Sequence, residues 1–363
     1  MNKKRILLIS PMELCVGGVS KVLMTLVEEL HEEYCFDVVT LCAKPGCFDE
    51  TFTAYGGRVY RIPSIQYLEH KILYPLSFFQ IKKAITKILK ENHYDVIHGH
   101  CGWQDAPCHL AAAQMGVPVR ISHGHGTYVW EGRNLVMRFY FCLAKKYIQK
   151  YANVRLACAS VAGDTLFSGV PYENVLNPVD VSLYADIEKM PHKGIHLLQI
   201  GYFCKLKNQI FSLNLLAHLL AHGVDAHLSL IGYPSEQGYH AQMLSLIARH
   251  HIEGHISFLP HDFDKRTAFA QTDYCLLPSE SEGLPLVALE SQVAGVPCLM
   301  SDKISKDSDV GAGFFLPRDD LGKWSDTIIN GVGVDTKRLT ENLQTITTRA
   351  YADKIRNIYE RKY

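Results

Sequence analysis

The chain alternates short apolar runs with longer mixed segments. Residues 5–10, 36–42, 57–62, 94–100, 117–122 and 154–159 read as buried strands. A second series follows at 196–202, 226–232, 255–260, 274–278 and 296–302, with a short run at 311–317. Helical spacing fills the intervals, as at 20–31, 235–250 and much of 319–363. Strand–helix alternation of this kind predicts parallel sheets built from βαβ units. Residues 181–194 are polar, contain Pro191 and Gly194, and read as a linker between two such arrays.

Composition adds limits. Hydrophobic residues make up 47% and charged residues 20%, which describes a globular chain and excludes a disordered one. At 363 residues, two domains of ordinary size are expected. Lys plus Arg and Asp plus Glu both total 37, so net charge names no partner. Its distribution is more telling: residues 58–155 hold fourteen Lys/Arg against five Asp/Glu, and residues 1–57 hold five against eight. That asymmetry asks for an anionic partner or surface. Within the basic segment, Ile65, Leu68, Ile72, Leu76, Phe79, Ile81, Ile85, Ile88 and Leu89 are interleaved with Lys71, Lys82, Lys83, Lys87 and Lys90. Residues 64–93 therefore predict an amphipathic helix, either on the core or on an anionic membrane surface. Eleven cysteines without a C-x-x-C pair, several in apolar runs, read as reduced thiols of a cytosolic protein. The basic-then-apolar start is too short for a secretory core and reads as the first strand. No apolar run reaches transmembrane length.

The densest chemistry lies at 279–290, Ser-Glu-Ser-Glu-Gly-Leu-Pro-Leu-Val-Ala-Leu-Glu, between a strand and a helix. Ligands of open α/β sheets bind at such carboxyl ends of strands. Gly283 allows close backbone approach, and Pro285 suits the first helical turn. The N–H groups of Leu284, Leu286 and Val287 could then point at a phosphate. Glu282 is expected at the loop tip and Glu290 about two turns further on, along the helix. Carboxylates repel phosphate but accept pairs of sugar hydroxyls well.

Near the start, Gly17-Gly18 joins a strand to a helix. It is not a G-x-G-x-x-G fingerprint, so no nicotinamide cofactor is indicated. His98-Gly99-His100 and His123-Gly124-His125 each end a strand. Residues i and i+2 share a strand face, so either pair could bind a metal, but no Cys/His/acid set at convincing spacing accompanies them.

Glu282 and Glu290, with the flanking Pro-Ser-x-x-Glu-Gly-Leu-Pro-Leu-Val-x-Leu-Glu-x-x-x-x-Gly-x-Pro, resemble the Glu-x7-Glu signature of the retaining family 4 glycosyltransferases. The resemblance is strong over 195–302 and weaker before. It implies the GT-B fold, α/β with two Rossmann-like domains facing a central cleft, at about 1–185 and 186–345. A C-terminal helix, 346–363, would pack back on the first domain. The implied activity is transfer of a sugar from a nucleotide diphosphate sugar, with a UDP-sugar expected. The implied acceptor is a lipid-linked or glycan chain of capsule or exopolysaccharide synthesis. No nucleic acid and no metal or other cofactor are expected, and a cytoplasmic place at the inner membrane face is.

The resemblance also assigns residues. Gly17 and Gly18 would lie near the donor diphosphate, and His125, then His123, would face the donor sugar. Glu290 would hold the ribose and Glu282 the sugar hydroxyls. Lys207 and Asn208 match the family's Gly-Arg-x-x-x-x-Lys-Asn pattern, with Lys207 on the diphosphate. Tyr202 stands where that pattern has arginine, and Lys205 is the candidate substitute. The departure keeps two alternatives open: a non-catalytic sugar-nucleotide-binding subunit of a transferase pair, or a GT-B epimerase.

Overall fold

A computed structural model describes residues 3–15, 17–63, 74–127 and 135–362. The apolar runs form two sheets. The first contains β1 (Arg5–Ser10), β2 (Cys35–Thr40), β3 (Val59–Arg61), β4 (Val96–Gly99), β5 (Val119–Gly124), β6 (Val154–Ala157) and β7 (Glu173–Asn174). Their spatial order is 3-2-1-4-5-6-7, and every pair is parallel. The second contains β8 (Ile195–Ile200), β9 (Ala226–Ile231), β10 (Ile256–Leu259), β11 (Tyr274–Leu277), β12 (Cys298–Ser301) and β13 (Gly313–Leu316). It repeats the winding, in the order β10-β9-β8-β11-β12-β13, again all parallel. Parallel neighbours need long crossovers, and helices supply them.

In the first array these are α1 (Gly18–Leu30), α2 (Asp49–Ala54), α3 (Tyr74–Glu91), α4 (Asp105–Gln114), α5 (Leu135–Tyr151) and α6 (Ser160–Phe167). The rest are α7 (Val181–Tyr184), α8 (Gln209–Ala221), α9 (Tyr239–His250), α10 (Lys265–Ala270), α11 (Leu286–Val293), α12 (Leu321–Asn330), α13 (Thr336–Leu343) and α14 (Thr348–Glu360). Of the helix expected over 64–93, residues 74–91 form α3; Ile65, Leu68, Lys71 and Ile72 lie outside the described residues. Among the described residues, no helix is long and apolar enough to cross a membrane.

Contacts divide the chain into Met1–Pro178 with Thr348–Tyr363, and Val179–Thr347. The break falls before the expected 185/186. Asp180 explains the difference: its carboxylate accepts the Leu183 N–H at 3.2 Å and starts α7 inside the stretch expected to be linker. Val179 is also tied into the second unit, donating its N–H to the Ile346 carbonyl at 2.8 Å.

The first sheet is covered on both faces. Ile6, Leu8, Val96 and Ile121 pack with α1 and with Tyr351, Ile355, Ile358 and Tyr359 of α14. Leu7, Ile9 and Ile97 pack with Ile81, Ile85, Ile88 and Leu89 of α3. Such two-sided burial is why these strands read as continuous apolar runs. In the second unit, Leu197, Leu228, Leu276 and Leu299 pack beneath α8, α9 and α12.

Candidate active site

Strand order reverses between β8 and β11 in the second unit, and the loops leaving these two strands hold the Glu-x7-Glu stretch and Lys207. Several bonds fix them. Gln199 donates Nε2–H to the Lys207 carbonyl at 2.7 Å. Asn208 adopts the left-handed conformation (φ 55°) and donates Nδ2–H to the Pro278 carbonyl at 3.2 Å. The Glu280 N–H reaches the Leu206 carbonyl at 2.9 Å, joining one loop to the other. Ser301 Oγ holds the Ser279 carbonyl at 2.6 Å.

This framework places Lys207 Nζ 2.5 Å from Glu282 Oε1. The same oxygen accepts Ser279 Oγ–H at 2.9 Å. Glu282 is thus folded back onto its own loop and is not at an exposed tip, because the ammonium and hydroxyl draw it in. Pro285 caps α11 in extended conformation (φ −69°, ψ 118°), and Leu286 is the first helical residue. The helix therefore starts one residue later than expected. Leu286 and Val287 occupy its first turn, where amides have no intrahelical acceptor, and Leu284 precedes it. Glu290 lies on α11 as expected, just over one turn from its start.

Glu290 is wholly buried, and its Oε2 lies 2.6 Å from Lys265 Nζ. Tyr184 hydrogen-bonds to the same carboxylate; burial, then that negative charge, raises its phenol well above the ordinary value. Neither partner was visible as such in the sequence. One signal existed: Lys265 is a cation in the first turn of α10, against the helix dipole, where a purely local fit disfavours it. Gln292 anchors the other side of α11, accepting the N–H groups of Val310 and Ala312 and donating to the Ser308 carbonyl.

Two expected residues point elsewhere. Lys205 donates its N–H to Glu236 at 2.9 Å and brings Nζ to 3.5 Å from the same carboxylate. Tyr202 is partly exposed and sets its ring edge-to-face with Tyr233, centroids 4.9 Å apart.

In the first unit, Gly17 caps α1 with extended backbone (φ −175°) that any residue adopts. A Cβ on Gly18 would meet nothing within 4 Å. The local fold therefore does not require a glycine at 18, and the Gly17 backbone angles suit any residue. β5 runs two residues further than expected, so His123 and Gly124 lie on the strand and His125 just beyond it. His98 of β4 pairs with Ile121 of β5. That register and the two-residue period put His98, His100, His123 and His125 on one sheet face. His98 Nδ1 meets Tyr359 Oη at 2.9 Å, and His100 Nδ1 meets His125 Nε2 at 2.8 Å. Burial, then the neighbouring rings, pushes His98, His100 and His123 well below the ordinary imidazole value. Burial pushes His125 down to about 4, opposed by a bond to Asn177. All four rings are neutral at neutral pH.

Two Rossmann-like units in one chain, one with paired carboxylates and cations at its switch point, define a protein of the two-domain α/β class with a candidate ligand site at the strand ends. Comparison with known proteins identifies the family. A model described as "Glycosyl transferase 4-like domain" matches residues 17–179, and "Glycosyl transferases group 1" matches 183–310. The glycosyltransferase EpsF of Bacillus subtilis is 31% identical over 339 residues, covering 86% of this chain and 84% of that protein. The capsular polysaccharide biosynthesis glycosyltransferase CapH of Staphylococcus aureus is 22% identical, covering 82% and 81%. Among solved structures, HepE of Anabaena in complex with UDP superposes with a TM-score of 0.77 at 15% identity, over 98% and 99% of the two chains. The chain belongs to the GT-B glycosyltransferases.

Proposed function

We propose that this transferase moves a sugar from a UDP-sugar, with retention at the anomeric carbon, to a lipid-linked or glycan acceptor in cell-surface polysaccharide synthesis. The observation that carries the reading is the Lys207–Glu282 pair at the β8/β11 switch point. On donor binding, Lys207 exchanges the carboxylate for diphosphate oxygens, and Glu282 turns to the donor-sugar hydroxyls. Asn208 and the backbone from Gly283 to Val287 complete the phosphate cradle. Glu290 accepts the ribose hydroxyls. In the first unit, the Gly17-Gly18 loop serves the phosphates, consistent with a Gly18 that the packing does not demand, and His125 serves the donor sugar, with the wholly buried His123 behind it.

Stabilising the departing diphosphate is the main electrostatic task, and Lys207 with the α11 start supplies positive charge for it without a metal. A neutral His125 suits contact with a sugar hydroxyl as donor or acceptor. No side-chain nucleophile is needed when attack and departure share one face. HepE structures with UDP and with UDP-glucose support uridine as the base. EpsF and CapH support the surface-polysaccharide setting.

An anionic membrane at the cytoplasmic face fits the acceptor. On α3, Leu76 and Phe79 are exposed beside Lys82, Lys83 and Lys87; on α5, Leu135, Phe139 and Leu143 form an exposed stripe beside Lys146. Phe78 and Tyr147 join the two helices edge-to-face at 5.4 Å. Greasy side chains ringed by lysines suit a lipid surface.

Calorimetry with UDP, GDP and ADP tests the donor site. Lys207→Met should weaken UDP binding by tenfold or more, whereas Lys205→Met should leave it unchanged. Unaltered UDP affinity in Lys207→Met would remove the lysine from the diphosphate. Tyr202 favours a second reading, a donor-binding subunit without turnover. UDP binding with no sugar transfer to any lipid extract would select it; sugar epimerised or released without acceptor would select the epimerase alternative.

A further inference from the structure

We propose that His98, His100 and His123 bind one divalent transition-metal ion of the zinc class inside the first unit. Each side chain is almost fully buried, at 0%, 2% and 0% exposure. One candidate ligand nitrogen from each lies within 4.8 Å of the others. Nitrogens bound at about 2.1 Å are at most about 4.2 Å apart, so closing on an ion takes shifts of less than about 1 Å.

The pattern of bonded and unbonded nitrogens points the same way. His98 uses Nδ1 against Tyr359 Oη and His100 uses Nδ1 against His125 Nε2. Their Nε2 atoms are buried without a hydrogen-bond partner, and the equally buried His123 ring has only the Val175 backbone to bond with. Buried polar atoms left unpaired are costly and rare in folded proteins. Here the three rings meet at one place, and two of them are already held through one nitrogen. Metal-binding histidines are held in this way. Three imidazoles select zinc, cobalt, nickel or copper over magnesium or calcium. The ligands come from β4 and β5, and Tyr359 comes from α14, so the ion fastens the C-terminal helix to the sheet. The site adjoins His125, proposed for the donor sugar, through the His100–His125 bond, but does not rest on that role; His125 stays outside the ligand set.

Histidines elsewhere, such as the half-buried His218 on α8 and His222 at its C-cap, also attract metals. The test therefore uses full-length protein stripped with a chelator, then titrated with cobalt(II) and with zinc(II). The expected result is one cobalt per chain with a visible ligand-field spectrum that zinc erases, and a melting temperature several degrees higher with zinc but not with magnesium. His98→Gln and His123→Gln should abolish the spectrum, and the His218→Ala/His222→Ala double variant should keep it. Tyr359→Phe retains the ring and should weaken cobalt binding about tenfold. If the wild-type chain gives no such spectrum, or if the spectrum survives His98→Gln and His123→Gln, the site does not exist and water fills the cluster instead. Should the glutamine variants fail to fold, the wild-type titration and Tyr359→Phe still decide.

Discussion

Glu290 is held inside the second unit by Lys265 and Tyr184, so its carboxylate is pre-positioned before any ligand arrives. Glu290→Gln keeps the shape and removes the charge. UDP affinity should fall about tenfold or more, the loss of a charge-assisted bond worth ~1.5–3 kcal/mol. Calorimetry reads this, and an unchanged dissociation constant takes Glu290 out of the ribose site. Tyr202→Arg should act in the opposite direction and tighten UDP binding several-fold, because a bidentate cation replaces a neutral phenol. Weaker binding in that folded variant would show that the Tyr202–Tyr233 contact has a role of its own. Asp105 gives a pH prediction. Burial pushes its carboxyl up to about 8, against the pull of the Cys101 N–H and Ser122 Oγ. The folded chain thus binds this proton more tightly than the unfolded chain, whose aspartate titrates near about 3.9. The stability from the neutral acid is complete below about pH 4 and is lost as pH rises through about 8. Asp105→Asn should therefore melt progressively higher than wild type between pH 6 and 9 in chelator-treated samples. Parallel melting curves for the two proteins across that range would contradict the shift.

Elements differ in how plainly the sequence announces them. The strands were legible because parallel strands buried on both faces need unbroken apolar runs. The Glu-x7-Glu unit was legible because Gly283, Pro285 and Gly295 punctuate it at fixed offsets. What stayed hidden depends on contacts between elements. Lys265 and Tyr184 reach Glu290 from α10 and α7, and no local pattern marks that meeting. The extension of β5 through His123 is set by its pairing with β6, where His123 lies opposite Leu156. Lys205 was legible as a candidate cation, but its partner Glu236, from the loop after β9, was not. The helices α3 and α5 show the same limit: periodicity left α3 open between the core and an anionic membrane surface, and in the fold it buries one face while both helices also expose apolar side chains. Phe79 is 69% exposed, Leu135 79% and Phe139 71%. Vesicle binding should accordingly have two components. Lys82→Glu/Lys83→Glu/Lys87→Glu should remove the salt-sensitive part, at about 1 kcal/mol per lysine. Phe79→Ser/Phe139→Ser should remove the part that persists at high salt. Co-sedimentation with vesicles of graded anionic content separates them, and a wild-type chain that ignores such vesicles at low salt ends the membrane reading.

At the scale of the whole chain, the expected return of the C-terminal segment to the first domain has a structural basis in what α14 buries. Tyr351, Ile355, Ile358 and Tyr359 are at most 2% exposed, on the sheet face shared with Ile6, Leu8 and Val96. Their spacing at i, i+4, i+7 and i+8 is an amphipathic stripe legible in sequence, but its target is not, since the whole of the other unit, Val179–Thr347, intervenes. Ion pairs such as Arg356–Glu33 and Arg361–Glu173 decorate the edge and add little, being exposed to water. Burying four large side chains contributes on the order of 6–12 kcal/mol, comparable with the ~5–15 kcal/mol that separates a folded domain from its unfolded chain. Deleting residues 348–363 should therefore unfold the first unit and spare the second, whose core contains no residue of α14. Limited proteolysis should clear 1–178 and leave a fragment near 179–347, and that fragment should still bind UDP within a few-fold of the full chain. A truncated protein that resists protease along its whole length would show that the helix is an accessory. Loss of both units together would show that the second depends on the first.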